Sequence, residues 1–187
     1  MSGVVCDSGA GVVGSDGVVQ KLNLGCGNDY REGWVNLDSV FFKGKADVRV
    51  DLEGDELPFE DAFFDEIYAS HVLEHVIALP QLMDELQRVI KPTGELHVRV
   101  PHGGSDDAWE DPTHVRAFFP LSFSYFTAEL YEGAQTSSYM KRFWDIKSMN
   151  LVPHPDYREQ PLDELRISVQ KFRNCILEIQ VVLTPRS

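Results

Sequence analysis

The spacing of apolar and polar positions predicts short strands joined by turns and a few helices. Val18, Val19, Leu22 and Leu24 make a first apolar run, long enough for one buried strand, and it ends in Gly25-Cys26-Gly27. Trp34-Val35-Asn36-Leu37 is a second β-prone run that delivers Asp38 at its C-terminal end. Ala46, Val48 and Val50 alternate with Asp47 and Arg49 in a third strand ending at Asp51, and Phe64 to Ser70 reads as a fourth. His71 to Val76 suits a short helical turn. Pro80 suits the opening of a firmer helix, with Leu82, Met83, Leu86, Val89 and Ile90 on one face and Lys91-Pro92-Thr93-Gly94 as its stop. From Glu95 onward Leu96, Val98 and Val100 alternate inward as a fifth strand.

After Pro101 the pattern changes. Residues 102–120 are polar and without apolar period, which predicts a long loop over the sheet edge, and 102–132 reads as a lid or acceptor region. Pro120 opens an aromatic helix through Phe123, Tyr125 and Phe126 to Glu132, aromatics that suit a core better than a substrate box. Phe143 to Val152 is a sixth strand. Pro161 starts a further helix with Asp163 and Glu164 in its first turn and Leu162, Leu165, Val169 and Phe172 inward, before a seventh strand, Leu177 to Leu183. Strand, connection, strand is the rhythm of an α/β fold, a doubly wound, mostly parallel sheet with helices on both faces. The expected organisation is a loose arm over 1–17 and one domain over 18–187.

Charge narrows the partners. The 187 residues carry 17 basic and 30 acidic side chains, a net charge of -13 with no basic cluster, which disfavours nucleic acid and anionic membrane surfaces. Cys6, Cys26 and Cys175 are an odd set without metal-finger or CxxC spacing and suit a reducing, cytoplasmic setting. No signal peptide is evident, and no apolar stretch approaches the ~20 residues that span a bilayer.

The candidate chemistry gathers at the first two strands. In an open α/β sheet ligands sit beyond the carboxyl ends of the strands, so the glycine turn and Asp38 face one crevice. Glycines let the backbone approach a ligand closely, and a carboxylate can accept from both hydroxyls of a ribose. Gly9-Ala10-Gly11-Val12-Val13-Gly14 matches the dinucleotide-binding pattern by letter, but no strand precedes it, so it is read as a decoy. In the loop, His102, Asp106, Asp107, Asp111 and His114 are metal-capable types whose spacing matches no standard site, and no metal is assigned. Trp109, Phe118 and Phe119 suit either a pocket wall or an anchor. Asp111-Pro112-Thr113 has turn character. Arg116 suits a fork onto an acceptor's carboxylate or phosphate, or a salt bridge to a neighbouring acid.

LNLGCG at Leu22 to Gly27, Asp38, DLEGDELPF at Asp51 to Phe59, FDEIYASHVLEHV at Phe64 to Val76 and GELHVRVP at Gly94 to Pro101 occur in order. Together they resemble the class I S-adenosylmethionine-dependent methyltransferases, of the small single-domain type 11 kind. The resemblance implies sheet order 3-2-1-4-5-7-6 with the last strand antiparallel, S-adenosylmethionine as cofactor and a methyl group passed in line to a small-molecule acceptor. It puts Gly25, Cys26 and Gly27 against the aminoacyl end and Asp38 on the ribose. Asp51 and Leu52 go to the adenine, and Ser70 and His71 lie near the methionine portion. Asn23 stands where the family carries an acid, so as a cofactor contact it keeps hydrogen bonding but not charge pairing to the cofactor's ammonium. His71, His102 and His114 are the candidate bases, Trp109, Asp111, His114 and Arg116 the candidate acceptor contacts, and His75 a structural histidine. Gly27 and Asp38 are 11 residues apart, against ~20 in a dinucleotide fold. Together with Tyr30 in place of a third glycine, this argues against NAD and leaves a vestigial helix around Asp29 to Glu32. Ala69-Ser70-His71-Val72 replaces the Asn/Asp-Pro-Pro-aromatic motif of nucleic-acid methylation, and Cys26 is misplaced for cytosine chemistry. The competing readings are a non-catalytic cofactor-binding or scaffolding domain and a metal-dependent site in the lid.

Overall fold

The computed structural model describes residues 19–39, 46–54, 56–127 and 140–186. The arm over 1–17 with its glycine motif and Cys6, Val18, and the end of the aromatic helix expected to reach Glu132 lie outside them. Among the described residues are seven strands: β1 (Lys21–Leu24), β2 (Val35–Asp38), β3 (Val48–Arg49), β4 (Phe64–Ser70), β5 (Ile90–Pro101), β6 (Trp144–Pro153) and β7 (Ile176–Pro185). They form one sheet of order β3-β2-β1-β4-β5-β7-β6, parallel as far as β5, with β7 antiparallel to both its neighbours. Three α-helices accompany them: α1 (Leu79–Val89), α2 (Asp107–Glu110) and α3 (Leu162–Lys171).

The register sorts side chains by face. Leu22, Ile67, Leu96 and Leu183 are paired in succession across β1, β4, β5 and β7, and so are Leu24, Ala69, Val98 and Val181. All eight are buried. Leu79, Leu82, Met83, Leu86 and Val89 of α1 join the same cluster, each contributing about 1.5–3 kcal/mol relative to exposure. Pro80 lies in the first turn of α1, whose start is held by Glu53, the carboxylate accepting from the N–H groups of Ile77 (2.7 Å) and Ala78 (2.9 Å). A negative charge there also favours the helix dipole.

The other face is more polar. Lys21, Glu66 and Glu95 are paired across it, as are Asn23, Tyr68 and His97, and the Lys21–Glu66 ion pair (2.7 Å) is a third exposed. The β1–β2 connection holds only turns, and its Arg31 and Trp34 pack on Tyr68 of this face. The reason for the polarity is in the strands. A parallel sheet covered on both sides reads as continuous apolar runs, whereas β4 and β5 alternate apolar with charged.

Three further boundaries move. Helix α1 stops at Val89 and passes directly into β5, with Lys91–Gly94 displaced between the Phe64↔Ile90 and Glu66↔Glu95 pairs. The aromatic segment is a 3-10 helix, Pro120–Phe126, that buries Phe123 and Phe126 but exposes Tyr125. Helix α3 turns its apolar residues inward only in part: Leu165 and Val169 are half-buried, Leu162 and Phe172 are 63% and 62% exposed, and Ser168 is its one buried residue.

Candidate functional site

The turn after β1 holds Gly25 (φ +61°) and Gly27 (φ +48°), both in the left-handed region that glycine enters without a Cβ penalty. A Cβ on Gly25 would lie 2.4 Å from Cγ2 of Val72, so the turn after β1 presses against the turn after β4. A Cβ on Gly27 would meet nothing within 4 Å, so that side is open. Cys26 N–H donates to the Leu37 carbonyl (3.0 Å), Gly27 N–H to Oδ2 of Asp38 (2.7 Å), and Val50 N–H to the Asp38 carbonyl (3.1 Å). These bonds lock the tips of the first three strands together around a carboxylate that is 8% exposed. The Cys26 thiol is pushed up to about 11 by burial and then by the charges of Asp38 and Asp47, so it stays protonated and is no nucleophile.

Asn23 is buried, and its Nδ2 donates to the Asp29 carbonyl (2.6 Å) and to Oδ1 of Asn36 (3.0 Å). Its donor group therefore holds the glycine turn rather than facing outward. Asn36, which was not singled out from the sequence, is the hub: its Oδ1 also accepts from Arg31 N–H (2.8 Å), and its Nδ2 donates to Arg31 and Trp34 carbonyls and Oδ2 of Asp47. A fully buried asparagine inside a β-prone run was the available signal, since such an amide needs several partners. Asp51 is exposed and its Oδ1 accepts from Glu53 N–H (3.1 Å), while Leu52 beside it is buried. Ser70 is half-buried at the end of β4.

His71 follows with φ +54°, a strained conformation for a residue with a Cβ. Its Nε2 lies 3.1 Å from Oε2 of Glu178 and its Nδ1 3.4 Å from Oε1 of Glu74. These carboxylates, Glu74 foremost, raise its pKa against the opposing effect of burial. Arg99 forks onto Glu178 (3.0 and 2.9 Å) and reaches the Tyr68 hydroxyl (3.2 Å), tying β4, β5 and β7 together.

The polar loop folds back onto this end of the sheet. His102 is buried, its Nδ1 accepts from Gly104 N–H (3.1 Å), and burial lowers its pKa. That nitrogen is therefore committed and Nε2 carries the hydrogen. Trp109 is exposed with its Nε1 donating to the Gly103 carbonyl (2.9 Å), and Phe118 anchors the loop by stacking on Phe123. Asp111 Oδ1 accepts from both the N–H (2.8 Å) and the hydroxyl (2.6 Å) of Thr113. Arg116 Nη2 donates to the Ile77 carbonyl (2.9 Å), so one arm of its fork is anchored on the turn after β4. His114 Nδ1 lies 3.2 Å from the Ala108 carbonyl, and the His75 and His114 rings meet edge to face at 4.6 Å. Sequence reasoning left His75 as a structural residue. The structure places it beside Glu74 and His114.

Asp38 with the glycine turn, and Ser70 with His71, thus lie at the ends of adjacent strands, with Asp51 and Leu52 following directly on Val50. Asp111, His114 and Arg116 instead face the turn over residues 71–77. A cleft of about 550 Å³ between Gly54, Glu56, Gln81, Glu85 and Arg88 lies to the side and shares only Leu52 with those strand-end residues.

Residues 26–98 match the family model described as "Methyltransferase domain". A sterol 4-C-methyltransferase of Caenorhabditis elegans is 32% identical over 69 residues, 37% of this chain. That match spans about a fifth (21%) of the nematode protein. Among solved structures, a SAM-dependent methyltransferase from Archaeoglobus fulgidus superimposes with TM-score 0.61 at 15% identity, over 90% of this chain and 86% of that one. An S-adenosylmethionine-dependent methyltransferase from Mesorhizobium loti does so with TM-score 0.58 at 15% identity, over 93% and 94%.

Proposed function

We propose that this chain, which carries a methyltransferase domain of the class I S-adenosylmethionine-dependent family, transfers a methyl group from that cofactor to a small-molecule acceptor. The observation that carries the reading is the bond from Gly27 N–H to Asp38 (2.7 Å), which joins the open glycine turn to a carboxylate at the adjacent strand tip. The residues present fit the cofactor. A Cβ at Gly27 would enter free space, Asp38 brings to the tip of β2 a carboxylate of the kind that suits a ribose, and Leu52 offers an apolar flank to a base. When bound, the cofactor supplies an electrophilic methyl on its sulfonium.

The protein's part is placement: holding an acceptor in line and excluding water can raise the effective concentration to ~10⁵ M or more. The three candidate histidines differ in what they can add. Both nitrogens of His71 face carboxylates, and Nδ1 of His102 is occupied by Gly104 N–H. His114 lies against Glu74 rather than at the strand tips. An acceptor that brings its own lone pair, such as an amine or a thiolate, fits this arrangement better than a hydroxyl. The buried, unpaired Cys26 and Cys175 support a reducing compartment, which we take to be the cytoplasm. No helix among the described residues is long and apolar enough to cross a membrane.

Calorimetry with S-adenosylmethionine and S-adenosylhomocysteine, beside a screen of acceptors for demethylated cofactor, tests both parts. Asp38→Asn keeps an acceptor for Gly27 N–H but removes the charge, and affinity should fall about 10- to 100-fold. Unchanged affinity would overturn the site. His71→Asn should leave turnover within about tenfold, whereas a loss of 10²–10⁴ would identify a general base and a weaker nucleophile as acceptor.

A further inference from the structure

We infer that Glu74, His75 and His114 form a binding site for a divalent cation of the zinc class, which pins the polar loop to the turn after β4. The inference stands on these side chains alone and does not rest on methyl transfer. One potential ligand atom from each of the three lies within 4.8 Å of the others. Bonds of ~2.0–2.2 Å in a tetrahedral site place ligands ~3.3–3.5 Å apart, so a movement of about 1 Å closes the cage.

Hydrogen bonding fixes which nitrogens are available. The Ala108 carbonyl can only accept, so Nδ1 of His114 carries the hydrogen (3.2 Å). The Thr113 hydroxyl donates to Asp111 (2.6 Å), so it accepts from Nδ1 of His75 (3.0 Å), which also faces the Thr113 carbonyl at 3.3 Å. With Nδ1 engaged in each ring, Nε2 is the nitrogen that each imidazole can offer to a cation. This is the arrangement of metal-binding histidines, whose second nitrogen is held by a carbonyl or a carboxylate relay.

Glu74 supplies the independent observation. It is 1% exposed, and neither carboxylate oxygen accepts a hydrogen bond among the described residues. His71 Nδ1 at 3.4 Å and His114 Nε2 at 3.9 Å are within ion-pair range of Oε1 but make no hydrogen bond to it. A buried charge without partners costs several kcal/mol, which a cation between Glu74 and the two rings would offset. The backbone already brings the segments together: Val115 N–H donates to the Glu74 carbonyl at 2.9 Å. Two imidazoles and one carboxylate match zinc and its first-row neighbours, and three protein ligands leave one position for water.

The test is metal content of the full chain, then removal with a chelator and titration with zinc chloride, read by calorimetry and by melting temperature. We expect one equivalent per chain and a raised melting temperature. Glu74→Gln, His75→Gln and His114→Gln should each weaken binding by about 100-fold or more, and Thr113→Val, which breaks the relay, by about 10- to 100-fold. His97→Gln, whose imidazole neighbours Glu66 and Glu95 on the polar sheet face, should change nothing. Should Glu74→Gln fail to fold, the two histidine variants carry the test. No saturable zinc binding, or binding that survives the ligand substitutions, would overturn the site and assign the Glu74 charge to protonated His71.

Discussion

At the scale of single residues, the two glycines of the first turn have different reasons to be glycine. Gly25 needs both its positive φ and its missing Cβ, because Val72 occupies the space a methyl would fill. Gly25→Ala should therefore cost about 2–5 kcal/mol, from backbone strain together with overpacking. Gly27→Ala carries only the strain and should cost about 1–3 kcal/mol. Adding Val72→Ala to Gly25→Ala should recover about 1 kcal/mol beyond additivity in urea unfolding, and strictly additive losses would refute the contact. Histidines show the opposite situation, in that their letters carried no distinction. His71, His75, His102 and His114 differ only in what surrounds their two nitrogens. A relay such as Asp111–Thr113–His75 exists only once a loop 36 to 40 residues downstream folds back onto the turn.

At the scale of elements, α1 and α3 have similar lengths and unequal support. Helix α1 buries five apolar side chains against the sheet and has its start held by Glu53, whereas α3 buries only Ser168. Leu86→Ala should cost about 2–5 kcal/mol, and Leu162→Ala no more than about 0.5 kcal/mol. Amides of α3 should accordingly exchange with deuterium well before those of α1. Protection of α3 equal to that of α1 would contradict its exposure. The apolar spacing of α3 predicted an inward face, and the spacing was present. What failed was the inference that a periodic stripe must be covered, since nothing local supplies the surface to cover it.

At the scale of the whole molecule, one sheet face is apolar and packs against α1, while the other carries polar and ion-paired side chains, some buried and some partly exposed. Glu178 belongs to that second face and bridges β7 to Arg99 and His71. Burial alone would raise its pKa, but hydrogen bonds from Arg99, Gln180 and His71 outweigh it and hold the carboxyl below its ordinary 4.5. A depressed carboxylate contributes stability that is present above its unfolded pKa and lost as pH falls through the folded one. Wild type should therefore lose melting temperature below about pH 4.5. Glu178→Gln should be less stable at neutral pH and flatter over that window, so that the two curves converge in acid. Parallel curves would show that the network does not carry this linkage.

The chain's own pattern determined the seven strands, the position of the glycine turn and the carboxylate at the tip of β2, because each depends on periodicity or on a residue's intrinsic backbone freedom within a few neighbours. Even the polar sheet face was written in the alternation of β4 and β5. Tertiary structure alone decided that Asn23 faces Asn36, that Gly25 meets Val72, and that Glu74, His75 and His114 share one small volume. Those relations join residues 13 to 47 positions apart. Their energies come from desolvation and hydrogen-bond direction, which no local pattern encodes.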